Sequence, residues 1–233
     1  MSKNYLIFND FNTLNHFLIE ELPKVSTAEE KIDFIEIDGR HGYLTQSQDS
    51  YSPIDYDVQL NIYKKEDIQK VKNIFRGSGK LILSNNETKF YYARVVNKID
   101  FERVLSEYHT CIVSFKLQPF AYERTNDVIS ITDNSYIFTN NTNTTCQPII
   151  TIRGTGSCVL NIGESQINIT NVPNSITLDF EMQEAYKQTD KGKKNMNTYV
   201  SGDFDELETG DTLIQWNGEG ITEIRINPRF RWL

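Results

Sequence analysis

Strand-like spacing of apolar residues dominates this chain of 233 residues, and the cleanest example is residues 57–62. Val58, Leu60 and Ile62 share one side there while Asp57, Gln59 and Asn61 share the other, the mark of a strand with one wet face. Only one segment has helical spacing. Ile68, Val71, Ile74 and Phe75 fall on one stripe, Glu66 and Asp67 stand in the first turn, and Gly77 supplies the stop. Residues 5–8 read as a short strand turned by Asn9 and Asp10, 17–22 as a weak strand closed by Pro23, and 27–31 as a polar connection. Residues 81–83 and 90–96 flank Asn85 and Asn86, which tolerate left-handed turns, so the pair reads as a hairpin. A longer strand, 110–117, is expected to stop at Gln118 and Pro119.

The stretch IEIDGRHGYL at 35–44 organises this first half. Apolar residues reach a turn carrying Gly39 and Gly42, and two glycines three apart suit a tight reversal with positive φ. The residues that follow, up to Pro53, are rich in Ser, Gln and Asp and read as a polar loop.

The pattern changes near residue 123, which divides the chain into domains 1–123 and 124–233. Apolar pairs at 129/131 and 137/138 come first, and NNTNTT at 140–145 reads as a flexible bridge. Six short apolar runs follow at 149–152, 159–162, 167–169, 176–180, 212–216 and 221–226, separated by Gly- and Pro-bearing turns. Such a succession predicts a β-sandwich or jelly roll. GTGS at 154–157 is one of those expected turns, and the lysine-rich stretch 187–194 reads as a solvated loop. The fold class expected is therefore mainly β, an α+β domain with one packed helix followed by a β-sandwich.

Composition narrows function more than fold. Apolar bulk comes from rings, with 13 Phe, 12 Tyr and 2 Trp in a chain only 38% hydrophobic. The formal net charge is −8, so the cationic field that drives phosphate binding is missing, which argues against a dedicated nucleic-acid binder. Three cysteines, Cys111, Cys146 and Cys158, without CxxC spacing argue for a reducing compartment, with Cys111 a small buried residue in a strand. The N-terminal residues form no signal peptide and no transmembrane stretch is present, which points to synthesis in a cytoplasm.

Candidate chemistry is sparse. His16, His41 and His109 are scattered without metal-ligand spacing, and neither GxSxG nor a P-loop occurs, so neither a metal nor a cofactor is expected. Asp179 with Glu181, and Asp203 with Asp205, lie two apart as glycosidase carboxylates would, a coincidence to be expected among 32 acidic residues. Sugar binding through exposed rings is more credible, with Tyr186, Tyr199 and Trp216 as candidates, although Trp216 ends an alternating strand and also fits a core position.

The chain resembles the distal tail protein (Dit) family of long-tailed bacteriophages. The motifs that carry this are, in order, the Gly39–Arg40 and Gly42 turn, Gly79 with Leu81, the paired Tyr91 and Tyr92, and Phe115 followed by Pro119, Phe120, Ala121 and Tyr122. Pro148 with Gly154, Gly202 with Phe204, Leu207 with Gly210, then Ile214 and Trp216, and the closing Pro228–Arg231 string continue the series. The resemblance implies a non-enzymatic structural protein whose first domain builds a hexameric ring and whose second is galectin-like. It implies the tail-tube protein, the tail-associated hub protein and receptor-binding proteins as partners, a place at the virion tail tip, and a lumen through which DNA passes without adhering. Arg40, His41, Tyr43 and Leu44, long side chains at an exposed turn, are the candidate ring contacts. The competing expectation is a carbohydrate-binding module acting on bacterial surface glycans through the second domain.

Overall fold

The structure, a computed structural model, describes residues 3–104 and 108–233. The chain forms two compact units, the first running to Arg124 and the second covering Thr125–Trp232. Both are built almost wholly of antiparallel strands, as the alternating pattern predicts.

In the first unit, β1 (Leu6–Phe8) and β2 (Phe11–Asn12) are followed by β3 (Glu30–Glu36) and β4 (Tyr43–Tyr51), which pair only with each other. Then come β5 (Ile54–Ile62), α1 (Asp67–Ile74), β6 (Ser78–Leu83), β7 (Asn86–Val95), β8 (Glu102–Arg103) and β9 (His109–Glu123). The sheet runs β9-β7-β6-β1-β2, with β5 paired along the first half of β9 from Ile62 opposite His109 to Ile54 opposite Leu117. Ile54, Tyr56, Val58, Leu60 and Ile62 are all buried, so the period-two pattern points inward. They meet Val71 and Phe75 of the helix end, and rings fill the middle: Phe8 lies 5.4 Å from Phe115 and 6.0 Å from Phe75. The helix begins where Asp67 accepts a 2.6 Å bond from Lys70 Nζ, and Gly77 follows it at φ 70°. Gly79 leaves room for the Asn9 side chain, whose Oδ1 accepts from Lys80 N and whose Nδ2 donates to Ser78 O.

Three expectations for this unit are corrected. Residues 17–22 form no strand; Phe17 and Ile19 are buried in the core, but the backbone makes only isolated bridges, Leu18 to Asn61 and Asn4 to Ile19. β9 does not stop at Pro119. The register against β7 slips between Ala93 opposite Leu117 and Tyr91 opposite Ala121, so Pro119 lies in an irregular stretch where its missing N–H breaks no regular ladder. Residues 43–51 are a strand and not a loop.

The second unit holds β10 (Ile129–Ile131), β11 (Ser135–Asn140), β12 (Ile149–Ile162), β13 (Ser165–Asp179), β14 (Glu184–Thr189), β15 (Gly192–Asn195), β16 (Val200–Ser201), β17 (Gly210–Asn217) and β18 (Ile221–Asn227). Four of the expected short strands are thus halves of two long ones, β12 and β13, paired with each other from end to end. The first half of β12 bonds β18 and the second half bonds β17. The sheet therefore folds into two layers, β10-β18-β12-β13-β14-β15 and β11-β17-β12-β13-β16, joined where β12 and β13 bend. GTGS sits at that bend, inside a strand. Gly154 has φ 133°, and a Cβ there would meet the Gly220 carbonyl oxygen and stand 2.6 Å from Ile221 Cα, so only glycine fits.

One core lies inside the second unit, with Ile150, Ile152, Ile176, Leu178, Ile224 and Ile226 from the first layer and Leu160, Ile162, Ile167, Ile214 and Phe138 from the second. Residues 140–145 are not a flexible bridge. Asn140 is buried, donates from Nδ2 to Thr144 O at 3.0 Å and to Leu207 O at 3.3 Å, and accepts from the Thr142 amide and hydroxyl. The lysine-rich stretch is no loop either but the β14–β15 hairpin.

Candidate functional site

The feature that a folded, self-sufficient domain leaves unexplained is the β3–β4 hairpin. Its register places Glu36 opposite Tyr43 and Ile35 opposite Leu44, with Gly39 and Gly42 at φ 80° and 82° in the turn between. The glycine-based reversal predicted for 35–44 is present. Every residue from 29 to 49 is exposed, so no core lies beneath either strand. The hairpin is tied at its base by the Ser52 N to Glu29 O bond of 2.8 Å and by the Tyr51 ring, 5.8 Å from Phe120. Polar side chains hold it internally, including Gln48 Nε2 to Asp33 at 2.8 Å.

Such a hairpin is expected to be polar where it meets water, and this one is apolar on both sides. Ile32, Phe34 and Tyr43 share one face, with the Phe34 and Tyr43 rings packed edge to face at 4.6 Å. Ile35 and Leu44 pair on the other, and Ile37 lies just beyond. Phe34 is 60% exposed and Tyr43 58%. A lone two-stranded sheet is marginal in water, and clustered exposed apolar side chains mark an interaction surface. Of the candidate contacts, Arg40 and His41 occupy the exposed turn while Tyr43 and Leu44 open β4 on opposite faces. The sequence reading stopped at these tip residues and missed Ile32, Phe34, Ile35 and Ile37. Their signal was present in EKIDFIEI at 30–37, where Ile32 and Phe34 lie two apart, as do Ile35 and Ile37.

The other candidates lie in the second unit. Trp216 is 6% exposed and packs in the core, its Nε1 donating to Asp133 O at 3.0 Å, so its ring is not available as a sugar platform. Tyr186 is half-buried with Lys193 Nζ 4.0 Å from its ring centroid, while Tyr199 is exposed on a 3-10 turn, Asn197–Tyr199. Asp179 and Glu181 converge on one guanidinium. Arg229 reaches Asp179 Oδ1 at 2.7 Å and Oδ2 at 3.1 Å, and Glu181 at 3.1 Å. Arg231, itself buried, donates to Thr145 O at 2.8 Å and Gln147 at 3.1 Å and pairs with Glu206 at 2.9 Å. The closing Pro-Arg-Phe-Arg string therefore works as two clasps inside the second unit, a role that its composition alone does not reveal.

All three cysteines are free and buried, and burial pushes Cys111 and Cys146 up to about 12 and Cys158 to about 11. Thiols held neutral in this way are poor nucleophiles. Asp205 accepts from the Ser165 hydroxyl, and Asp203 lies exposed. Among the described residues, no group of His, Cys, Asp and Glu could hold a metal ion, and no helix is long and apolar enough to cross a membrane.

No family model matches this sequence. No curated protein matches it either. Among solved structures, the crystal structure of the Dit protein (gp 19.1) of SPP1 superposes with a TM-score of 0.80 at 12% identity, covering 100% of both chains. That protein is described as a paradigm of the hub of the adsorption apparatus in phages infecting Gram-positive bacteria. The chain thus has a Dit-like, β-rich fold from end to end, as the order of its motifs implied.

Proposed function

We propose that this protein is a structural hub of a phage tail, which joins identical copies into a ring through its first unit. The observation that carries this is the β3–β4 hairpin with apolar side chains on both faces. Six of them, Ile32, Phe34, Ile35, Ile37, Tyr43 and Leu44, keep about half of their surface in water. At 1.5–3 kcal/mol for fully burying one such side chain, covering what remains is worth about 5 kcal/mol per hairpin. The Dit-like fold supports the reading.

A ring is built from unlike patches on each copy, and a projecting hairpin is one of the two required. Six copies, a place at the tail tip between tail-tube and tail-associated hub proteins, and receptor-binding proteins attached through the second unit complete the proposal. The net charge of −8 suits a lumen that DNA crosses without adhering, because like charge forbids phosphate contacts. The role is mechanical and not catalytic.

Native mass spectrometry of the full chain tests this. Hexamers are expected, with a shift to monomers in Phe34→Ser/Tyr43→Ser at unchanged melting temperature. A chain that stays monomeric at all concentrations, or hexamers indifferent to the double substitution, would overturn it.

A further inference from the structure

We infer that the β14–β15 hairpin of the second unit is a docking surface for the acidic segment 203–211 of a neighbouring copy of this chain. The inference rests on the self-assembly proposed above and adds a second, electrostatic contact to it.

Lys187, Lys191, Lys193 and Lys194 crowd onto this one hairpin of an otherwise acidic chain. Lys187 stands directly opposite Lys194, and like charges so placed destabilise a strand pair. Two of the four are held in place: Lys187 Nζ donates to Pro173 O at 2.6 Å, and Lys193 lies over the Tyr186 ring. Lys191 and Lys194 are exposed, and no ion pair among the described residues engages any of the four. β15 ends its sheet, so the charges stand on an open edge.

The complement lies in the same unit. Asp203, Asp205, Glu206, Glu208 and Asp211 follow one another within nine residues, and Glu164 joins Asp205, Glu206 and Glu208 around a cavity of about 620 Å³. Glu206 is taken by Arg231, while Glu164, Asp203 and Glu208 are exposed without an ion pair among the described residues.

Within one copy the lysines crowd the tip of their hairpin, while the acidic segment meets its foot, where Gln183 Nε2 donates to Phe204 O at 2.9 Å. The lysine hairpin runs toward Pro173, at the bend of β12 and β13. The acidic segment lies by the turn at Gly163 and Glu164, at the other end of the second layer. The lysine charge left without an ion pair at the hairpin tip is what the acidic segment of the next copy would meet. Two unlike patches meeting head to tail repeat around a closed ring, so each copy gives one and receives one.

The test mixes isotopically heavy and light copies of the full chain, lets them assemble, and applies a zero-length carbodiimide cross-linker. Heavy-to-light links from Lys191, Lys193 or Lys194 to Asp203, Asp205 or Glu208 are expected. Lys191→Glu/Lys193→Glu/Lys194→Glu and Asp203→Lys/Asp205→Lys/Glu208→Lys should each weaken assembly about tenfold or more at low salt, and combining both sets should restore it. Full-strength assembly without these links overturns this inference and leaves the apolar-hairpin reading standing. Monomers under every condition overturn both. Weakening by the lysine reversals that the combined set fails to restore means that the lysines meet some other anion, and the second copy is then the wrong occupant.

Discussion

Replacing Arg229 with alanine removes the guanidinium from a carboxylate that has little else. The Asp179 side chain is 3% exposed and that of Arg229 25%, and beyond the two bonds at 2.7 and 3.1 Å the carboxylate accepts, among the described residues, only a weak 3.3 Å contact from Met182 N. Breaking a buried pair from one side costs roughly 3–5 kcal/mol, and the partly wet arginine places this case at the low end, about 3 kcal/mol. Arg229 also sits at φ +50°, a strain that alanine retains and glycine relieves by about 1 kcal/mol. Arg229→Gly should therefore be less harmful than Arg229→Ala, which inverts the usual order. In a unit of this size 3 kcal/mol corresponds to a fall of roughly 12 °C or more in melting temperature. Urea unfolding followed by tryptophan fluorescence reports on the right place, since Trp216 is buried in the same unit. The double variant Asp179→Ala/Arg229→Ala should lose less than the sum of the two singles. A loss under about 0.5 kcal/mol for Arg229→Ala, the worth of a surface pair, would refute the clasp, as would alanine outperforming glycine.

Gly154→Ala is expected to cost more than about 3 kcal/mol, because its Cβ meets backbone of the Gly220–Ile221 turn and the strained φ persists; an ordinary soluble yield with an unchanged melting temperature would contradict this. Trp216→Ala should destabilise the second unit by roughly 3–5 kcal/mol in chemical denaturation, as a core truncation does, while a fully stable variant would return the ring to the surface. The cysteines give a pH prediction. Their folded values of about 11 to 12 exceed the unfolded value of about 8.5, so the folded state keeps protons that the unfolded state releases. Stability should be complete below about pH 8.5 and be lost progressively as pH rises toward 11 to 12; denaturation midpoints that do not move between pH 8 and 10 would contradict this.

Alternation and one helical stripe were enough to read most of the first unit, because residues 54–62 and 68–75 bury one side and wet the other. Reading failed where local signals and tertiary context part. Gly154 and Pro173 look like punctuation between strands, yet here they let two long strands bend without ending. Pro119 looks like a stop, yet an irregular register absorbs it. Asn140 and Thr142 look solvated, yet both are buried and bond each other, and one Asn140 bond reaches Leu207, far along the chain. The candidate site shows the same limit. The glycine turn at 39–42 was plain, but the strand after it was hidden by Ser, Gln and Asp, residues that a hairpin wet on both sides can carry without penalty. What made that hairpin worth noticing was its exposure, which no single residue encodes.

The bend shared by β12 and β13 governs how the second unit comes apart. Each layer borrows its central strands from the same two runs of backbone, so neither can fray while the other keeps its shape. Unfolding there should proceed in one step, and a pull on either end of those runs should be felt throughout the unit.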